Sequence, residues 1–288
     1  MGVTEAGFDP AGPAAPPGLH NYTVGLRGIC AAEIHVAGPF QDVHSGQHGG
    51  AIENPINALA AIIAGLKGAD GRIRIPGFYD DVVPLGEVER AALAALPFEE
   101  EAYRDGLGVP ALAGESGWTT LERRGARPTL DVNGIWGGFQ GEGSKTIIPG
   151  RAHAKVTCRL VADQDPERIF DLLRDHVLRI APPGVTVEVV SLGGGRPTLT
   201  PLDDPATRAF ARALEVTFGR APVYMREGGS IPVAASFASI VGLPVTVVGF
   251  MPPDGNFHAP NEWMDMANFE GGIRALARFF DEFAAGDA

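Results

Sequence analysis

The chain has 288 residues, 45% hydrophobic and 20% charged, an ordinary globular composition sufficient for one large or two modest domains. Its net charge of −12 and pI near 5.0 repel phosphate backbones, and no lysine and arginine cluster offsets them, which excludes nucleic acid as a partner. No apolar run reaches the roughly 18–20 residues of a membrane helix, and the two cysteines, Cys30 and Cys158, are too few for a disulfide framework or a cysteine-built zinc site.

The opening MGVTEAGFDP lacks the basic and apolar regions of a secretory signal, so a cytoplasmic setting is expected. Pro10–Leu19, rich in proline, glycine and alanine, reads as a loop or linker. Asn21–Leu26 and Glu33–Ala37 read as short strands, followed by a loop over Gly38–Gly50. Asn54-Pro55 places a cap residue before a proline at the first helical position, and opens a helix with Ile56, Leu59, Ile63 and Leu66 on one face. Ala152, Ala154, Val156, Cys158 and Leu160 alternate with His153, Lys155, Thr157 and Arg159, a one-sided strand with Arg159 on its polar face. Asp165-Pro166 opens a second helix, with Ile169, Leu172, Leu173, Val177 and Ile180, stopped by Pro182-Pro183-Gly184. Val185, Val187 and Val189 alternate as a strand. Asp204-Pro205 opens a third helix, with Phe210 and Leu214 on one face and Gly219 to end it. Pro244–Phe250 is a continuous apolar run, the mark of a strand covered on both faces, and a last helix runs from about Ala267 to Phe283.

From Ile29 to Gly195 the order is strand, helix, a mixed region, two strands, helix, strand, which is the βαββαβ order of a ferredoxin-like sandwich. From Arg196 the order becomes helix, helix, buried strand, helix, expected of part of an α/β sheet. The run Gly193-Gly194-Gly195 marks the boundary.

Neither HExxH nor GxSxG occurs. GFQGEGSKT, residues 138–146, looks like a phosphate loop, but Ser144 separates Gly143 from Lys145, and Ile147-Ile148-Pro149 follows where a helix must begin. Four polar segments remain: DVHSGQHGG at 42–50, GSKTIIP at 143–149, REGGSIP at 226–232 and DGNFHAPNE at 254–262. In the third, Ser230 is placed to cap a helix with Pro232 in its first turn, and Gly228-Gly229 leave backbone N–H groups at a positive helix end that suits a carboxylate. A capped helix after a glycine turn explains the same residues equally well. In the fourth, His258 follows a buried strand, where a loop imidazole either ligates a metal or is simply solvated.

Together with TVGLRG, RIRIPGFYDDV and CRLV, these segments resemble a co-catalytic zinc metallopeptidase and deacylase family. That family includes cytosolic non-specific dipeptidase, carnosinase, acetylornithine deacetylase and glutamate carboxypeptidase, and the dipeptidase branch has these motifs in this order. The resemblance implies an α/β catalytic domain that binds two zinc ions, with manganese or cobalt as alternatives, interrupted by a ferredoxin-like α+β lid that mediates homodimerisation. Residues 1–28 would end the first catalytic segment, 29–195 form the lid and 196–288 return to the catalytic domain. It further implies His258 as a metal ligand, with Glu5 as an acidic ligand and Asp9 as its rival. His44 would cross the dimer to steady the oxyanion, Arg159 would hold the substrate carboxylate, and Thr146, Glu227 and Ser230 would bind substrate. From the residues alone, His44 reads as a turn histidine hydrogen-bonded to Asp42.

The family's bridging carboxylate, its His-x-Asp motif and its Glu-Glu pair are not found here, and Glu99-Glu100-Glu101 falls within the lid on a charged helix face. The chain is therefore expected to be the carboxy-terminal portion of a hydrolase of dipeptides or N-acyl amino acids, inactive alone. A non-enzymatic dimerisation or binding module is the alternative.

Overall fold

A computed structural model describes residues 20–286 apart from 246, 252–254, 257 and 258. The chain opens with β1 (Asn21–Leu26) and β2 (Gly28–Ala37), then β3 (Val43–His44), α1 (Ser45–His48) and α2 (Pro55–Leu66). The mixed region holds α3 (Glu87–Ala94), α4 (Glu100–Gly106) and α5 (Thr120–Gly125), followed by β4 (Thr129–Gly137), β5 (Ile147–Ile148) and β6 (Arg151–Leu160). Next come α6 (Pro166–Ile180), β7 (Thr186–Gly195), β8 (Thr198–Leu199), α7 (Pro205–Phe218) and β9 (Val223–Glu227). The last elements are α8 (Pro232–Val241), β10 (Val247–Val248) and α9 (Met266–Ala285).

Strands β4, β6, β2 and β7 lie side by side in that order, every neighbour antiparallel. With α2 between β2 and β4, and α6 between β6 and β7, this is the ferredoxin-like topology. The strict alternation of β6 buries Ala152, Ala154, Val156, Cys158 and Leu160, which meet Ile34 and Val36 of β2 and Ala58, Leu59, Ile62, Ile169, Leu173 and Val177 of the two helices. The α2 stripe is rotated from the expected one, since Ile62 is fully buried while Ile56 and Ile63 are only partly so. Three of the proline-led helices, α2, α6 and α7, are capped as their sequence requires: Asn54 accepts from the N–H of Ile56, Asp165 from those of Glu167 and Arg168, and Asp204 from those of Ala206 and Thr207. Cys30 and Cys158 are free, buried and directly opposed across β2 and β6.

The second sheet is centred on β1, which runs parallel to β9 and antiparallel to both β10 and β8. One face packs Tyr22 and Val248 against Phe210 and Leu214 of α7 and Ala275 of α9; the other packs Leu26 and Val247 against Ala234 of α8. The apolar run before Phe250 is thus covered on both sides, although its strand is confined to Val247–Val248. After Arg196 two strands depart from the expected element order, β8 and β9, and the edge strand β4 is largely exposed on both faces. Among the described residues, no helix is long and apolar enough to cross a membrane.

Candidate functional site

The parallel strands β1 and β9 end together, at the edge where ligands of α/β sheets bind. Beyond β1, the Arg27 N–H donates to the carbonyls of Glu227 (3.3 Å) and Gly229 (3.1 Å), and its Nε donates to the Gly228 carbonyl (2.9 Å). These bonds lash the two strand ends together. Gly228 is required by close approach: a Cβ there would lie 2.8 Å from the Arg124 carbonyl oxygen and 3.0 Å from Arg27 Nη2. The carboxyl end of β6 reaches the same place, and Arg159 Nη1 donates to Ser230 Oγ at 2.7 Å.

Ser230 does not cap α8 as its sequence position suggests. Ile231 holds the cap position without a side-chain hydrogen bond, and the Ser230 hydroxyl is turned to Arg159 instead.

The electrostatics of this edge are cationic. Burial foremost, together with the nearby charges of Arg159 and Arg124, lowers the Arg27 guanidinium to about 10, with Asp131 and Glu227 acting in the opposite sense. Arg124 is likewise lowered by burial, opposed by Tyr103 and Glu227, and its guanidinium lies 4.8 Å over the Tyr103 ring. Arg27 Nη1 is buried and has no hydrogen-bond partner among the described residues. Three guanidiniums with a buried, unspent donor can accept an anion, and a planar carboxylate matches their geometry. Arg27 and Arg124 were not singled out from the sequence. Arg27 stands in the TVGLRG segment, but its neighbours come from positions about 100 and 200 residues away, beyond any local pattern.

His44 and Thr146 lie elsewhere. His44 pairs with Ile147 in the ribbon of β3 and β5, and the Ser45 N–H donates to the Thr146 carbonyl at 2.9 Å. The exposed His44 caps α1, its Nδ1 accepting from the Gly46 N–H at 3.0 Å. Asp42 is not its partner, because that carboxylate accepts from the Gly150 N–H at 2.9 Å. The ribbon adjoins the Arg151 end of β6, and Arg159 is eight residues further along, a span of about 26 Å at ~3.3 Å per residue. Within one chain, the six described site positions therefore split into two groups, Arg159, Ser230 and Glu227 at one end of the sheet and His44 and Thr146 at the other, with Arg27 joining the first.

Glu5, its rival Asp9 and His258 all lie outside the described residues. Among the described residues, the one grouping of three metal-ligating side chains is Glu33, His35 and His153. The phosphate-loop look-alike leads into β5, with no helix to receive a phosphate. Glu100 of the acidic run accepts from the Thr120 hydroxyl at 2.5 Å.

The peptidase dimerisation domain matches residues 24–185. The chain is 31% identical over 266 residues to the Cys-Gly metallodipeptidase dug1 of Schizosaccharomyces pombe, covering 91% of this chain and 56% of that protein. It is 32% identical over 265 residues to the human Beta-Ala-His dipeptidase, covering 91% of this chain and 52% of that one. In structure it is similar to the di-peptidase Dug1p of Saccharomyces cerevisiae (TM-score 0.78, 26% identity, all of this chain and 60% of that one). It is also similar to the metallo-carboxypeptidase Sso-CP2 of Sulfolobus solfataricus (TM-score 0.80, 28% identity, 96% of this chain and 62% of that one). The chain thus spans little more than half the length of these relatives. With its dimerisation domain covering more than half of the residues, and three of the four strands of the ferredoxin-like sheet (β2, β4 and β6) within it, the chain belongs to the M20 peptidase family.

Proposed function

We propose that this chain supplies the lid and the carboxylate grip of a metal-dependent dipeptidase that works as a homodimer. The observation that carries the reading is the junction of Arg159 with Ser230 beside Arg27, at the carboxyl end of the β1 and β9 pair. On this reading 29–195 is the lid, 1–28 and 196–288 belong to the catalytic domain, and the substrate is a dipeptide or N-acyl amino acid with a free carboxylate. The dipeptidase names of the relatives support that substrate class.

Each residue then has a chemical task. Arg159 and Arg27 hold the substrate carboxylate by charge-assisted hydrogen bonds, and the Ser230 hydroxyl orients the Arg159 guanidinium. Glu227 balances the arginine charge. His44 donates to the oxyanion that develops at the scissile carbonyl, in the site of a second copy, because about 26 Å of β6 separates it from Arg159 in its own. Thr146 accompanies it from the same ribbon. Zinc or a similar divalent ion, held by His258 and an amino-terminal acid, would supply an activated water. On this reading the general base and bridging carboxylate are supplied from outside these residues; among the described residues, Glu100 of the acidic run is tied to Thr120. The isolated chain binds substrate without cleaving it.

Calorimetric titration with a simple dipeptide and with its carboxy-terminal amide tests the reading. The free acid should bind and the amide should not, and Arg159→Gln should abolish the difference. Equal binding of acid and amide would refute the carboxylate grip.

A further inference from the structure

We propose that Glu33, His35 and His153 form a binding site for a divalent transition-metal ion of the zinc class, on the face of the four-stranded sheet turned away from α2 and α6. His35 and His153 are directly opposed across β2 and β6, the two central strands, and Glu33 lies two residues along β2 on the same face. Their ligand atoms all lie within 4.8 Å of one another; His35 Nδ1 faces His153 Nδ1 at 2.6 Å, and the Glu33 carboxylate lies beside the same ring, its Oε1 3.7 Å from the other nitrogen, Nε2. Two imidazoles and a carboxylate are the donor set of an open zinc site, which keeps a fourth position for water. Imidazole nitrogen also suits copper and nickel and disfavours calcium or magnesium.

To share one ion with the facing Nδ1 atoms, the Glu33 carboxylate must swing from the Nε2 side of His35, and the two rings must part slightly. Bonds of about 2.0–2.1 Å in a tetrahedral site put two nitrogens about 3.4 Å apart, so the two rings need part by less than ~1 Å. Side-chain rotation achieves this, while the strands that carry the rings stay paired on both sides. The Trp136 ring, opposite His153 on β4, stacks on the imidazole at 5.1 Å between centroids and 14° between planes, which fixes the orientation of that ligand. Partial exposure of the His35 and Glu33 side chains, 31% and 18%, leaves the ion a path in and room for water. Two charges work against binding: Lys155, opposite Glu33 in register, and Arg151, two residues before His153 on β6. Exposed Glu188, opposite His35 on β7, works for it. Without a metal, the same two imidazoles share one proton in an N–H···N hydrogen bond, and this is the alternative the test must separate. The inference stands on the sheet register and is independent of the proposed hydrolase.

Zinc titration by calorimetry is made on His258→Ala, which removes ligation by that residue, and on the same background with His35→Gln and His153→Gln added. The first should take one zinc per chain; the second should bind at least ~100-fold more weakly, beyond the loss that follows removal of a ligand's outer partner. Cobalt added to the unmodified chain should quench Trp136 fluorescence, and the response should disappear in Trp136→Phe, which keeps the proposal testable if the double variant fails to fold. Zinc binding that survives the double substitution, that vanishes with His258→Ala alone, or that leaves Trp136 unaffected overturns it.

Discussion

Replacing Gly125 by alanine tests how the contact between α5 and β9 builds the cationic edge. Gly125 is buried in the last turn of α5, and a Cβ there would stand 1.8 Å from the Arg226 carbonyl oxygen and 2.8 Å from its carbonyl carbon. Non-bonded atoms pack at about 3.5 Å, so helix and strand must separate by roughly 1.5 Å. Both obstacles are backbone, and no rotamer change relieves them. Overpacking typically costs about 1–3 kcal/mol, and the depth of this overlap puts Gly125→Ala at the upper end, about 3 kcal/mol. Arg124 precedes Gly125 and touches the Gly228 turn, so carboxylate binding should weaken too. Gly106→Ala is the matched control: it ends α4, and its Cβ would meet nothing within 4 Å. Urea unfolding at neutral pH reads the first effect and dipeptide calorimetry the second. If Gly125→Ala unfolds at the same urea concentration as Gly106→Ala and binds dipeptide normally, the helix–strand contact does not build the site.

Two further predictions concern buried charge. His20 is 9% exposed and its ring lies tilted against Phe218, 3.7 Å between centroids, and burial holds its imidazole down at about 4. Because its ordinary value is near 6.5, the folded protein should keep this contribution above that pH and lose about 3 kcal/mol as pH falls from there towards 4. His20→Phe should remove that part of the acid sensitivity, and unfolding curves for the two proteins that run parallel across this window would show the reasoning wrong. Glu89 forms a two-pronged pair with buried Arg226, at 2.8 Å and 2.7 Å. Glu89→Gln leaves that cation without its countercharge and should cost about 3–5 kcal/mol in denaturant unfolding, whereas a change below ~1 kcal/mol would mean that water reaches Arg226.

The sequence made some of this legible and concealed the rest for identifiable reasons. Asn54, Asp165 and Asp204 each precede proline, and each caps the helix it announces. The alternation of β6 likewise placed Arg159 on the polar face, and the strand and helix order of 29–195 matches the ferredoxin-like sheet. The residues of β4 could not be named from the sequence because it is an edge strand exposed on both faces, so no alternation marks it. Strand β9 was hidden because its five residues lack a periodic pattern. Ser230 obeys the local rule for a helix cap and yet serves a residue 71 positions away. The neighbours of Arg27, and the approach of His35 to His153, are set by strand register, which spacing along the chain does not encode. Glu5 and His258 lie outside the described residues, so the expectation that they converge on a metal stands as part of the proposed function.

On the proposed reading, the two ends of β6 meet in one site only when two copies associate. Cysteine cross-linking measures this directly, because the native thiols Cys30 and Cys158 are buried, at 2% and 0% exposure. Chains carrying His44→Cys are mixed with chains carrying Ser230→Cys and treated with a bifunctional maleimide too short to bridge the span within one chain. A covalent dimer that forms in the mixture, and in neither protein alone, is the predicted result. A monomer cross-linked internally when one chain carries both substitutions, or a mixture that yields no covalent dimer, would contradict it.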